Sequence, residues 1–241
     1  MKSLEGREAI LARLAAVPAA APTAWPARPE AVAAVPDEEP DALIERFVHA
    51  LARAQGTWQI AASPVIARLT LATRLQEGGV KQVLSWAASE LPVDGVLEAL
   101  EVLGIEAITP APPLSDTRLR PQDLEVRRRY LLGIEGIPVG LTGADAAFAA
   151  TGTLALRHGP GRPLLVNQLP RRHIVLLAAD QIYPTMECWL AQRPAAASQP
   201  HSTAPSTTLL TGPSRSADIE VAPVFGVHGP GKLHVIVVQG R

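Results

Sequence analysis

WQIAASPVIARLTLATRLQEGGVKQVLSWAASELPVDGVLEALEVLGIEAI, residues 58–108, alternates between two kinds of hydrophobic pattern. Residues 58–62, 83–86 and 105–108 are short apolar runs of strand length. Between them, residues 66–76 and 93–103 space their apolar side chains as a helix does, and Gly104 stops the second run. Strands alternating with helices of this length imply a parallel or mixed sheet with helices packed against it. The fold class expected is therefore α/β, an open sheet flanked by helices.

Upstream, residues 41–54 extend the pattern as an amphipathic helix with Leu43, Ile44, Phe47 and Leu51 on one stripe. Downstream, a proline-bearing loop leads to a charged helix over 121–132, whose Pro121 suits a first turn. Beyond it the chain is richer in glycine and β-formers, and strands are expected at 139–142, 153–156, 164–166, 174–178, 208–211 and 233–238. Residues 195–206, rich in Ala, Ser and Pro, read as a flexible excursion. Residues 18–40 hold Pro18, Pro22, Pro26, Pro29, Pro36 and Pro40 among alanines, which removes backbone donors and predicts an extended linker or arm. Ahead of it Leu4, Ile10, Leu11 and Leu14 fall near helical spacing. Glu5, Arg7, Glu8 and Arg13 interrupt what would be the apolar core of a signal peptide, so an amphipathic helix is expected instead. The organisation expected is a helix and Pro/Ala-rich arm over 1–40 and an α/β domain over 41–241.

With 47% hydrophobic residues in 241, the chain can bury a substantial core. A formal charge of -1 offers no basic field to recruit nucleic acid or an anionic membrane, and two Tyr, three Phe and four Trp give little to stack on bases. No stretch approaches the roughly 20 apolar residues of a membrane span. Cys188 is the only cysteine. It excludes an intramolecular disulfide, a thiolate-held iron-sulfur cluster in this chain and any zinc site needing two sulfurs. A reducing, cytoplasmic setting is expected, with Cys188 a small buried hydrophobe in a helical run over 185–192. No metal site is expected.

Glycine-bearing polar segments border the expected strands, where open α/β sheets place ligands. They are Thr142-Gly143-Ala144-Asp145, Ala150-Thr151-Gly152-Thr153, Gly159-Pro160-Gly161-Arg162-Pro163, and the run from Gly212 through Ser214, Arg215 and Asp218 to Glu220. Glycine lets backbone amides approach a ligand, Thr and Ser add hydroxyls, and arginine supplies a planar fork for phosphate or carboxylate. An anion pocket of Thr151, Gly152, Thr153, Arg162, Ser214 and Arg215 is the functional reading. Tight turns are the plain one. Asp145, Asp218, Glu220 and His228 are the candidate catalytic groups, with an N-cap or Asx-turn, a solvated helix start, and a turn histidine as their structural alternatives. Residues 226–232 satisfy G-x-x-x-x-G-K, but Leu233 stands where a phosphate-binding loop needs Ser or Thr, and a strand follows instead of a helix. Neither H-E-x-x-H nor G-x-S-x-G occurs.

Taken in order, these segments resemble the lactate utilization protein C (LutC/YkgG) family, which carries the LUD domain. The resemblance spans 136–238 and includes Thr151-Gly152-Thr153-Leu154, Pro170 with His173-Ile174, Asp180-Gln181-Ile182, Gly212-Pro213-Ser214-Arg215 and Gly226-Val227-His228-Gly229-Pro230. One departure is Ala150, where the family usually has an acidic residue. The resemblance implies a fold like the sugar-phosphate isomerase and CoA-transferase group (NagB/RpiA/CoA transferase-like). It also implies a role beside sister proteins, one of them an iron-sulfur subunit, in oxidising L-lactate to pyruvate. Two functions stay open: an accessory subunit that binds a small anionic ligand, its cofactor unknown, or a free-standing enzyme on a small phosphorylated or carboxylated substrate, like the isomerase and formyltetrahydrofolate cyclo-ligase relatives.

Overall fold

A computed structural model of the chain describes residues 6, 8, 9, 11–13, 38–111, 121–192, 206–217 and 223–240. The chain divides into two compact units, Met1–Val32 and Ala33–Arg241. In the first, residues 6, 8, 9 and 11–13 are helical. Residues 195–205 of the excursion expected over 195–206, and the segment 218–222, which holds Asp218 and Glu220, lie outside the described residues.

The second unit opens with helix α1 (Pro40–Arg53), which has proline in its first turn and buries Ile44, Phe47, Val48 and Leu51. Strand β1 (Thr57–Ala61) follows, then α2 (Pro64–Glu77), whose Ser63 hydroxyl caps the amide of Ile66 at 3.3 Å. Next come β2 (Gln82–Ser85), α3 (Val96–Val102), β3 (Glu106–Ile108), α4 (Pro121–Ile134) and β4 (Val139–Thr142). With β7 (Arg172–Ala178) and β12 (Lys232–Val238) these strands form a six-stranded sheet in the order β1-β12-β7-β4-β2-β3. Every neighbouring pair in it is parallel. Strands β4, β7 and β12 sit at its centre and are buried almost along their whole length, as unbroken apolar runs require in a sheet covered on both faces.

A second sheet, β8-β5-β6-β9, joins β5 (Ala146–Phe148), β6 (Thr153–His158), β8 (Ile182–Tyr183) and β9 (Ser206–Leu210). Its Ala147, Leu154 and Leu156 enter the main core, while Phe148 packs on Trp189 of α6 (Met186–Gln192) with ring centroids 5.7 Å apart. Cys188 is buried in α6, its sulfur 3.1 Å from the Thr185 hydroxyl. A short hairpin, β10 (Arg215–Ala217) with β11 (Pro223–Phe225), completes the unit. Among the described residues no helix is long and apolar enough to cross a membrane.

One expected strand is corrected. Of residues 164–166, Leu164 caps and the other two open a single helical turn, α5 (Leu165–Gln168). Three apolar residues in a row fit a strand or a buried turn equally well. Here the amides of Val166, Asn167 and Leu169 are satisfied locally, by the carbonyls of Pro163, Leu164 and Leu165 at 2.9–3.2 Å. The turn lies on β4 at Gly140, where any Cβ would run into the Val166 carbonyl oxygen.

Candidate functional site

Polar groups gather at two places, one at each edge of the parallel sheet. At the amino edge, β7 and β12 begin beside α5, the end of β9 and the turns at 211–214 and 228–230. Together they enclose a pocket of about 280 Å³ walled by Asn167, Gln168, His173, Thr208, Thr211, Ser214 and His228, with Leu233 and Pro230 among its apolar lining. Backbone bonds hold the two turns together: Ser214 donates to Pro230 at 2.8 Å and Gly226 to Ser214 at 3.0 Å.

Two imidazoles lie close together here, His173 in the wall and His158 behind it. His173 pairs through Nε2 with the Thr142 hydroxyl at 2.8 Å, and complete burial, reinforced by nearby His158, drives its pKa down to about 3. His158 pairs through Nε2 with the Thr208 hydroxyl at 2.8 Å, and burial lowers its pKa against opposing contributions from the Arg162 backbone and the Asp145 charge. Nδ1 of His173 and Oδ1 of Asn167 are buried with no partner among the described residues. From Thr211 a chain of hydroxyls runs away from the pocket, to Thr153 at 2.7 Å and on to Thr151 at 2.7 Å.

At the carboxyl edge, the segments after β2, β4 and β7 surround a second cleft, of about 290 Å³, that contains Glu90, Asp145, Arg157, Arg162 and Gln181. Asp145 accepts from Arg157 Nε and Arg162 Nη1, both at 2.8 Å, and from the Arg157 amide at 2.7 Å. Glu90 accepts from Arg162 Nε at 2.5 Å. The Arg162 guanidinium lies over the Trp86 ring, 5.2 Å from its centroid. Burial works against the Arg162 charge, but the Glu90 bond and the Asp145 field outweigh it, so its pKa stands above the usual value.

The residues expected on one anion pocket, and the candidate catalytic groups Asp145 and His228, are thus distributed. Ser214 and His228 wall the amino-edge pocket, Thr153 and Thr151 connect to it through Thr211, and Arg215 follows Ser214 as an exposed residue opening β10. Gly152 packs against α1: its φ is +68°, and a Cβ there would run into the backbone of Ala50 and Leu51. Gly212, with φ +76°, meets Ala54 of the same helix end in the same way. Arg162 and Asp145 belong to the other edge.

Sequence reasoning passed over Asn167, Gln168, Thr208, Thr211, Glu90 and Arg157. His173, which stands just ahead of the expected strand 174–178, is part of the pocket wall. Glu90 carried a usable signal, since it stands in the segment following the expected strand 83–86, where a sheet's carboxyl edge must lie. Among the described residues no group of three or more His, Cys, Asp or Glu side chains is placed to hold a metal ion.

Comparison with known proteins gives a consistent picture. The LUD domain matches residues 44–238. A lactate utilization protein C from Deinococcus radiodurans is 31% identical over 163 residues, 67% of this chain and 68% of that protein. One from Geobacillus sp. (strain WCH70) is 36% identical over 119 residues, 49% of each chain, so that match spans about half the relative's length. The crystal structure of a DUF162 family protein from Deinococcus radiodurans superposes with a TM-score of 0.56 at 20% identity, covering 83% of this chain and 99% of that one. At that identity the likeness speaks for the fold.

Proposed function

The chain belongs to the LUD domain family, and from that membership we propose that it serves L-lactate utilisation as an accessory component holding a small anionic ligand in the amino-edge pocket. The relatives named lactate utilization protein C support the process. An accessory role suits a sequence with one cysteine, which leaves thiolate-bound electron carriers to sister proteins, an iron-sulfur subunit among them.

The observation that carries the pocket is the pair of buried polar atoms, His173 Nδ1 and Asn167 Oδ1, which have no partner among the described residues and belong to residues that wall it. An unmet buried polar group costs about 1–3 kcal/mol, and such groups recur where a fold is built to bind something. A ligand that bears hydroxyls as well as a carboxylate or phosphate answers both needs of this wall. Its hydroxyls meet Asn167 and His173, and its anion meets the Ser214 and Thr211 hydroxyls, with Arg215 beside Ser214 supplying charge.

Thermal-shift and calorimetric titration of the purified chain with lactate, pyruvate, nucleotides, folates and CoA tests the reading, because a ligand selective for the native state raises its midpoint. Arg215→Ala is expected to weaken the ligand so found by about 1.5–3 kcal/mol, the range for hydrogen bonds to charged groups, and Ser214→Ala by less. Normal binding by both variants would remove the ligand from this pocket. Turnover of such a compound by the isolated chain would replace the accessory role with an enzymatic one.

A further inference from the structure

The connections of the six-stranded sheet diverge between β2 and β4. β2 leads to β3 at one edge, whereas β4 leads to β7 and then β12 toward the other. Divergence of this kind opens a crevice over the carboxyl ends of the two strands, the usual ligand position in open α/β sheets. In this protein the crevice is the cleft of Glu90, Asp145, Arg157 and Arg162, which shares no wall residue with the amino-edge pocket. The geometry points to this cleft as a binding site for a small monocarboxylate, which enters by displacing the Glu90 carboxylate from Arg162.

The two carboxylates of the cleft are held very differently. Asp145 has 6% of its side chain exposed, and both its oxygens are committed, Oδ1 to two arginines and Oδ2 to the Arg157 amide. It is a fixed part of the wall. Glu90 has 29% exposed, sits on the one-turn 3-10 helix Ala88–Glu90, and reaches Arg162 through Oε2 alone. It can swing into water and leave Arg162 still anchored by Asp145 and by the Trp86 face. Arg157 has 37% exposed and hydrogen-bonds through Nε, while its terminal nitrogens donate to no protein group among the described residues. A planar carboxylate matches the fork those nitrogens present.

Charge sets the class of guest. Two guanidinium groups balance two carboxylates in the closed cleft. Releasing Glu90 leaves one net positive charge, which a monoanion neutralises and a dianionic phosphate exceeds. Glu90 therefore acts as an internal stand-in for the ligand, keeping Arg162 neutralised until a free carboxylate replaces it.

Calorimetric titration of the full chain with acetate, L-lactate, pyruvate and inorganic phosphate is the test. Saturable binding of a monocarboxylate in preference to phosphate is expected, tighter in Glu90→Gln, whose amide no longer competes, and weaker by about tenfold or more in Arg157→Ala. The proposal is overturned if the wild-type chain binds no monocarboxylate, if phosphate is preferred, or if Glu90→Gln keeps its thermal midpoint yet binds no more tightly. Should Glu90→Gln fail to fold, the wild-type and Arg157→Ala titrations decide. A monocarboxylate lost in Ser214→Ala but retained in Arg157→Ala would sink the cleft proposal and leave the amino-edge pocket standing. The reverse pattern would separate the two sites in favour of the cleft.

Discussion

His173 has 1% of its surface exposed and is neutral in the native state, its pKa driven by burial to about 3. In the unfolded chain the same imidazole titrates near 6.5, so between those values the unfolded state holds the extra proton. Stability from this residue is complete above pH 6.5 and falls as the pH drops toward 3, by at most roughly 1.4 kcal/mol per pH unit. Burial lowers the pKa of His158 and His234 too, giving slopes of the same sign. Urea unfolding between pH 5 and 6.5, above the carboxylate range, should show stability rising with pH, with a shallower rise in His173→Gln. An unchanged slope in that variant would mean that His173 is charged in the fold. The sequence placed His173 at a strand entrance, and its partner Thr142 at the far end of another strand. Only the parallel register of β4 and β7, which sets Gly140 opposite His173, brings the pair to one face. Burial and pairing of this kind depend on tertiary neighbours, so Asn167, Thr208 and Thr211 offered no local sign of a shared wall. Ser214 and His228 stood in glycine-bearing segments beside expected strands, where tight turns are the plain reading.

Helix α1 and turn α5 are seated by glycines whose neighbours leave no room for a Cβ. At Gly140 an added methyl would displace the Val166 carbonyl and lift α5, and with it Asn167, off the sheet. At Gly152 it would strike the last turns of α1 in a backbone conformation that L side chains disfavour. Gly140→Ala and Gly152→Ala are each expected to destabilise by about 2 kcal/mol or more, an overpacking penalty, visible as lower urea midpoints. Near-wild-type midpoints would show that the helices give way freely. The elements most legible in sequence were those with long, regular apolar patterns. The central strands are apolar runs, β4 falling on its expected residues 139–142 and β12 beginning one residue early, and α1 carries an apolar stripe of Ile44, Phe47, Val48 and Leu51. β5, β8, β10 and β11 went unread, since strands of two or three residues exist only through their pairing partners.

At the scale of the whole chain, the LUD domain match over 44–238 falls inside the unit Ala33–Arg241. That unit is closed by its own ends. β1 pairs along its length with β12, the last strand, and the Thr57 hydroxyl bonds the Leu233 carbonyl at 3.1 Å and His234 Nδ1 at 2.8 Å. Because β12 also pairs with β7, it is the strand that joins β1 to the rest of the sheet. Removing residues 232–241 should therefore abolish cooperative unfolding, whereas removing 1–37, most of the helix and Pro/Ala-rich arm that the sequence sets apart, should leave unfolding cooperative. The position of the cut matters. Glu38 pairs with Arg46, which in turn donates to the Pro184 carbonyl at 3.0 Å and ties α1 to the segment ahead of α6. Truncation through residue 40 removes that pair and the first residue of α1, and should lower stability by up to about 1 kcal/mol relative to truncation through 37, the value of a half-exposed ion pair. Thermal and urea melts of the three truncations decide the matter: loss of cooperativity in the 38–241 chain would make residues 1–37 part of the folded core.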